Sequence, residues 1–482
     1  MSWRTLTYVI GAVVAASGLA MLPSAGVSLI YQEWGQAAAI AIASGLTMGI
    51  GLAAWRGYGR QGQLTTREGF ATVGLSWIAM TLAGTLPYIL SGTFDGITNS
   101  FFESSAGFTT TGASVIPDPA LLSHGILLWR ATTQWIGGMG IIVLSIAILP
   151  LLGVGGVELA RAESPGPRPD RLTPRFKETA KRLWFIYVAF TAVEALLLWA
   201  GDMTLFEAVA HSFTTLSTGG FSTSSSSLGG FSAYAQWIVL MFMLLAGVSF
   251  ALHYRGLRRP IEYVRDAELK LYGAVILGAS VVATIGIWGG PVGGAIRDGI
   301  FTTVSLVTTS GFATADFGLW PGALQIMIVG LMFIGGMAGS TAGAVKTYRI
   351  GVLTRASVAD LRRVIHPRGV FVTRLGKKKV PDEIVQSVQA FFLFYMFIFM
   401  TGTFILGVFS SAIGPDLDLV SAASAVASSL GNIGPALGSL GPTETYLSVT
   451  ALGKWLLASL MIVGRLEIFP ILLLFSRELW RS

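Results

Sequence analysis

The sequence predicts an all-α polytopic membrane protein, and three observations carry that prediction. Hydrophobic residues fill 53% of the 482 positions and charged residues only 12%, about half the share usual in soluble domains. Apolar runs of bilayer-spanning length, about 20 residues each, recur along the whole chain. Between the later runs lie four shorter, more polar segments at regular intervals, each ending in glycine. With no cysteine there is no disulfide, thiolate metal site or cysteine nucleophile, and four scattered histidines do not make a metal site. The formal charge of +7 comes from basic residues set between apolar runs without interleaved aromatics, so nucleic acid is not an expected partner.

In chain order the apolar pattern predicts spans at roughly 5–31, 35–56, 70–93, 122–153, 183–200, 233–252, 270–289, 322–350, 385–410 and 447–475. The first run continues past Pro23 to Ile30 with no small-residue cleavage site behind a short apolar core, which argues against a removed signal segment. The segments at 94–118, 202–224, 294–316 and 416–438 are too short or too polar to span, and each sits inside a helix pair. All of the 32 basic residues except Arg130, Arg297, Lys454 and Arg465 fall near the two ends, at 56–67, or in the alternate connectors 161–182, 255–270 and 346–379. The positive-inside rule makes that side cytoplasmic, both termini included, in a multi-pass protein of the cytoplasmic (inner) membrane. The four short segments then enter from outside, where Asp95, Asp118, Asp202, Asp316, Asp416, Asp418 and Glu444 form an acidic rim that concentrates cations.

The ends of the four segments align as Thr109-Thr110-Thr111-Gly112, Leu216-Ser217-Thr218-Gly219, Thr308-Thr309-Ser310-Gly311 and Gly431-Asn432-Ile433-Gly434. An Asp precedes each final Gly by 13 to 17 positions (Asp95, Asp202, Asp298 and Asp418) and is placed to cap a short helix. Each unit therefore reads as helix, capped half-helix, glycine-containing extended turn, helix. Irregular backbone at membrane depth survives only where it is buried in protein or lines water, and four such loops can ring one axis. Carbonyls pointing at that axis replace the hydration shell of a monovalent cation, and the half-helices aim their partly negative ends at it. The fold expected is four pseudo-repeated helix–pore loop–helix units around one ion pathway, plus an N-terminal two-helix pair. Its boundaries are 1–68 for the pair and 69–160, 161–258, 259–366 and 367–482 for the pore units.

Thr110-Thr111-Gly112, Ser217-Thr218-Gly219-Gly220-Phe221-Ser222 and Gly431-Asn432-Ile433-Gly434-Pro435 resemble motifs of the Trk/Ktr/HKT superfamily of potassium transporters. So do the glycine-rich 335–343 and the run from Gly464 to Phe469. The resemblance covers 70–482, and the extra N-terminal pair is similar to the bacterial TrkH branch. It implies a potassium uptake subunit that is not an enzyme, forms a homodimer, sits among membrane lipids and meets a cytosolic RCK-type regulator, TrkA-like. The transported K⁺ is the only ion expected, and any nucleotide belongs to the regulator. Thr110, Thr111, Ser217, Thr218, Thr309, Ser310, Asn432 and Ile433 are the implied K⁺-binding positions, closed by Gly112, Gly219, Gly311 and Gly434. Some plant relatives that favour Na⁺ carry Ser at the first filter glycine, so Gly112 resembles the potassium-selective pattern. The fourth loop departs from the pattern, with Asn432-Ile433 in place of hydroxyl residues.

Two further features lie on the expected path. Gly335, Gly336, Gly339 and Gly343 fall within nine positions, and each weakens a helix by about 1 kcal/mol relative to Ala. The density exceeds that of a Gly-x-x-x-Gly seam and predicts an unwound intramembrane loop below the filter, which resembles the family's gate. Arg465 lies inside an apolar run; a charge there is costly and faces protein or water. A structural pair with Glu467 is the alternative, but two positions apart on a helix the side chains point in different directions, so Arg465 is expected to face the pore and act in gating as a barrier to cations. Glu103 and Glu207 either brace the filter or serve structure alone, and His211 has no partner at metal-binding spacing. Gated uniport and K⁺ symport with H⁺ or Na⁺ both remain open at this stage. An alternating-access carrier fits less well, because it calls for matched halves and not four quarters.

Overall fold

The computed structural model describes residues 3–58, 66–147, 174–289 and 292–480. Two long helices, α1 (Trp3–Ile30) and α2 (Trp34–Gly57), form a close hairpin. Small residues permit the approach: a Cβ on Gly51 would run into the backbone of Ala15, and one on Gly11 into the backbone of Trp55. The Ser44 hydroxyl donates to the Gly18 carbonyl across the hairpin at 2.7 Å. Lipid tails are as apolar as leucine, so such contacts and interhelical hydrogen bonds hold the pair together.

Four units follow. The first contains α3 (Thr66–Gly84), α4 (Leu86–Leu90), half-helix α5 (Ile97–Phe108) and α6 (His124–Ala147). The second contains α7 (Pro174–Trp199), half-helix α8 (Leu205–Leu216), α9 (Ala233–Ala246), α10 (Phe250–Arg258) and α11 (Ile261–Arg265). The third has α12 (Ala267–Gly286), half-helix α13 (Val292–Val307), α14 (Gly322–Met332) and α15 (Thr347–Ile365). The fourth has α16 (Asp382–Ile413), half-helix α17 (Leu419–Gly431), α18 (Ala451–Arg465) and α19 (Phe469–Leu474). Among the described residues, six helices are each long and apolar enough to cross a membrane. The first unit starts at Thr66, inside the stretch assigned to the N-terminal pair. The expected boundary at 160/161, and with it Arg60, Arg161, Arg168 and Arg171, lies outside the described residues.

Three expected spans are interrupted. The run at 233–252 bends by 96° between α9 and α10. The run at 322–350 stops at Met332 and regains helix only at Thr347. The run at 447–475 breaks after Arg465, where Glu467 and Ile468 take φ of 57° and 63°. In the first unit α6 runs unbroken to Ala147, although its Gly137 abuts the end of α5 as Gly464 abuts the end of α17.

Asp caps one half-helix of the four: Asp418 accepts from Ser421 N at 3.1 Å. At α5 the residue before the helix is Gly96, with no side-chain cap. At α8 Thr204 and Glu207 form a capping box, while Asp202 accepts from the Ser232 hydroxyl at 2.6 Å. Asp298 lies within α13 and accepts from Thr314 at 2.9 Å. A cap works only at the residue flanking the first turn. Three half-helices begin 15 positions before their ring glycine (112 − 97, 220 − 205 and 434 − 419) and the third in chain order begins 19 before it (311 − 292), so Asp95 and Asp202 fall short of the flanking residue and Asp298 falls past it.

The N-terminal hairpin grips the first unit through Glu33. Its carboxylate accepts from His124 N at 2.8 Å, the His124 ring at 2.8 Å and Gly125 N at 3.3 Å, and so caps α6 from a distant part of the chain. Tyr31 stacks on the His124 ring, centroids 3.6 Å apart. Burial by itself would raise the Glu33 carboxyl, but the hydrogen bonds from His124 and Gly125 outweigh it and hold the group below the usual carboxylate range. A carboxylate with a depressed folded-state pKa stabilises the fold above its unfolded value, about 4.3, and loses that effect as pH falls through the folded value. Glu33→Gln is expected to remove this acid-limb contribution, and Glu33→Ala to cost about 1 to 2 kcal/mol as a lost cap. Thermal unfolding of purified protein across pH, wild type against variant, checks both.

Candidate functional site: a ring of four loops

Each half-helix ends in the same backbone figure. Thr110, Thr218, Thr309 and Asn432 take left-handed φ of 52°, 55°, 55° and 54°. The following N–H of Thr111, Gly219, Ser310 and Ile433 reaches back to the carbonyl of Ala106, Thr214, Ser305 and Ser428, at 2.8 to 2.9 Å. Two residues past the left-handed position come Gly112, Gly220, Gly311 and Gly434, with φ of 79°, 76°, 74° and 113°. The geometric register thus pairs Gly220, not Gly219, with Gly112. Ser217 falls level with Thr109, outside the loop proper, and Thr218 with Thr110. The sequence alignment slipped by one because Gly219-Gly220 offers two glycines, and only the backbone angles tell them apart.

The glycines close a ring. A Cβ on Gly112 would strike the Gly219 carbonyl, one on Gly220 the Ser310 carbonyl, and one on Gly311 the Ile433 carbonyl. One on Gly434 would come within 2.6 Å of the Thr111 carbonyl. Each loop therefore touches the next in chain order and the fourth touches the first. All four glycines also line one cavity of about 100 Å³, together with Ser222, Glu444 and Tyr446. Positive φ and contact with a neighbouring carbonyl both demand glycine at these positions.

The four walls differ. Gln134 of α6 clamps the second loop, with Nε2 donating to Gly219 O at 2.8 Å and Oε1 accepting from Phe221 N at 3.2 Å. Asn432 turns its amide outward, donating to Thr111 Oγ1 at 3.0 Å and to Met461 O at 2.8 Å. Glu103, fully buried, accepts from Arg130 Nε at 2.8 Å and from Val115 N at 3.0 Å, bracing the segment that leaves the first loop. Glu207 is occupied in its capping box and does not reach the ring. His211 joins Glu207 O at 2.8 Å to Ser222 Oγ at 3.1 Å, a structural bridge. Gln134 was missed in the sequence; a lone amide in an apolar helix was its signal, of the same kind that singled out Arg465.

The chain between α14 and α15 packs against the ring from the side opposite the cavity. Gly343 N donates to Thr309 Oγ1 at 2.7 Å, Ala344 N to Gly431 O at 3.0 Å, and Thr341 Oγ1 to Leu216 O at 3.0 Å. Gly335 and Gly339 have φ of 76° and 80°, while Gly336 and Gly343 are packed against the backbone of Gly247 and Gly431. Arg465, 2% exposed, donates to Thr341 O at 2.7 Å and to Gly137 O at 3.3 Å. It is not paired with Glu467, which binds Arg349. Arg349 also lies over the Phe391 ring at 4.0 Å, and the Lys346 ammonium donates to Ala342 O.

A helical membrane protein with four quasi-equivalent loops closed around one axis, and a fifth segment packed across it, defines a transport protein for a small cation. The sequence and structure of known proteins carry the identification further. The model of the cation transport protein family TrkH matches residues 37–265 and 277–481, and the chain belongs to that family, whose members transport and do not catalyse. It is 39% identical to the Trk system potassium uptake protein TrkH of Halomonas elongata, and 38% identical to that of Escherichia coli K12, over the full length of each. Its fold matches the crystal structure of the potassium transporter TrkH from Vibrio parahaemolyticus with a TM-score of 0.91, at 35% identity and full coverage of both chains.

Removing one member of a buried ion pair leaves an uncompensated charge and costs roughly 3 to 5 kcal/mol. Arg349→Met is expected to destabilise the protein by that order, and Arg349→Met with Glu467→Gln to recover most of it. Melting temperatures of the purified variants test the pair.

Proposed function

We propose that the chain carries potassium into the cell across the cytoplasmic membrane, through a filter of backbone carbonyls held by the four loops. The observation that carries this reading is the closed ring of glycine-to-carbonyl contacts. It fixes a narrow polar aperture on one axis, where carbonyl oxygens replace the hydration shell of a monovalent cation. The four half-helix C-termini add partly negative charge. The filter then comprises Thr110, Thr111 and Gly112; Thr218, Gly219 and Gly220; Thr309, Ser310 and Gly311; and Asn432, Ile433 and Gly434. The cavity faces outward, and basic connectors on the opposite side face the cytoplasm.

The segment 335–343 is the gate in this reading. Arg465 holds it shut by tying the Thr341 carbonyl to the Gly137 carbonyl of α6, and its charge repels cations beneath the filter. Channel-like uptake draws support from the two glutamates of the half-helices. Glu103 is committed to Arg130 and Glu207 to its cap. Four quarters weigh against an alternating-access carrier. The functional unit is a homodimer. A TrkA-like RCK-type regulator, bearing the nucleotide, docks on the cytoplasmic basic surface, to which the hairpin of β1 (Arg374–Leu375) and β2 (Lys378–Lys379) contributes.

Potassium and sodium flux in proteoliposomes, with and without a pH gradient, tests the reading. Gly112→Ser and Gly220→Ser are both expected to lower the K⁺ to Na⁺ permeability ratio; an unchanged ratio in both would remove the glycines from the filter. Arg465→Ala is expected to raise flux without a regulator about tenfold or more, equivalent to ~1.4 kcal/mol of barrier, with the ratio unaltered. Wild-type flux in Arg465→Ala would place the gate elsewhere.

A further inference from the structure

Beyond the bend in the second unit, α10, α11 and the link between them carry Arg255, Arg258, Arg259 and Arg265 against Glu262 alone. Tyr254 gathers two guanidinium groups from different helices. The Cζ of Arg258 lies 4.6 Å from the ring centroid, and that of Arg182, on α7, lies 5.5 Å from it. Arg182 also donates to the Tyr254 hydroxyl at 2.5 Å. Both arginines are exposed, and among the described residues neither has a carboxylate within ion-pair distance. Two exposed guanidinium groups gathered on one phenol concentrate positive charge at the surface, and guanidinium forks match phosphate oxygens. Beside them Leu257, Ile261 and Val264 are exposed. Free phosphate would satisfy the arginines and leave the apolar residues bare. A phospholipid satisfies both, since its headgroup takes the charge while its chains cover the hydrophobic side.

We propose that Arg182, Tyr254 and Arg258 form a binding site for the phosphate of an anionic phospholipid in the cytoplasmic leaflet, and that the site sets the position of the gate. This rests on the uptake reading for its orientation and its readout. The coupling is by direct hydrogen bonds. The bend between α9 and α10, with the start of α12, holds three consecutive residues of the gate segment: Gly247 O accepts from Met337 N at 2.9 Å, Glu268 Oε1 accepts from Ala338 N at 2.6 Å, and Phe250 N donates to Gly339 O at 3.1 Å. Headgroup binding that pulls α10 toward the membrane surface therefore acts on 337–339 through the backbone of Gly247 and Phe250 and through the Glu268 carboxylate of α12.

The test uses the full chain, wild type and Arg182→Gln/Arg258→Gln, with Arg258→Gln alone as a second variant should the double variant not fold. Phosphatidylglycerol retained by the purified protein is measured by native mass spectrometry. Potassium flux is compared in vesicles of phosphatidylcholine with and without phosphatidylglycerol. Retention is expected to fall about thirtyfold in the double variant, with unchanged melting temperature. Wild-type flux is expected to change with phosphatidylglycerol, and variant flux to be indifferent to it. Equal retention by the two proteins overturns the site, as does displacement of the lipid by inorganic phosphate. A variant that loses only its response to a soluble regulator, and keeps its lipid response, assigns the surface to that partner and also overturns the proposal. Absence of flux from wild type in every vesicle counts against the uptake reading, while retention still decides the site.

Discussion

The contact between a glycine of one loop and a carbonyl of the next is the constraint on which the rest of the molecule depends. Repeated four times, it sets how closely the half-helices approach, and so where the surrounding helices must stand. It also explains why the loops lie at the centre and bury even their hydroxyl side chains. Thr109 with Thr111 and Thr308 with Ser310 pair their hydroxyls at 2.8 and 2.9 Å, so these four buried hydroxyls are satisfied within their own loops. The same need makes the ring intolerant of a Cβ, because the atom in the way is backbone and cannot rotate aside.

Below the ring, broken helices supply what an irregular segment requires. Non-helical backbone at membrane depth must find its partners in protein. The end of α9 leaves Gly247 O free for Met337 N, the ends of α8 and α17 offer Leu216 O and Gly431 O, and the end of α18 places Arg465 on Thr341 O. The 335–343 segment thus borrows its hydrogen bonds from the second, third and fourth units. The first unit keeps an unbroken α6, against which Arg465 braces. Approximate fourfold symmetry at the ring gives way to a deliberate asymmetry beneath it, with three interrupted helices holding a segment and one continuous helix serving as the wall.

Buried charge follows the same division. Glu103 with Arg130 stiffens the exit from the first loop, and Arg349 with Glu467 joins α15 to the break between α18 and α19. Arg465 and Lys346 meet carbonyls and not carboxylates. Their positive charge is therefore only partly offset where a cation would leave the ring, whereas the paired groups sit to one side.

The sequence by itself determined the membrane class, the helix pairs, the four short segments and the glycine-dense 335–343, because hydropathy and glycine density are local properties. It also singled out Arg465, since a charge in an apolar run is conspicuous without coordinates. Only the tertiary structure decided the register of the second loop, where Gly220 and not Gly219 meets a neighbour's carbonyl, and the partner of Glu467, which is Arg349 and not Arg465. Neither helix break at 247–249 nor that at 466–468 was legible, because the residues there read as apolar helix and the breaks are stabilised by groups from other units. Three of the four expected Asp caps, all but Asp418, failed because an approximate spacing from a loop does not single out the residue flanking the first turn. What depends on contacts between distant segments is set by packing around the shared axis, and no window along the chain contains both sides of such a contact.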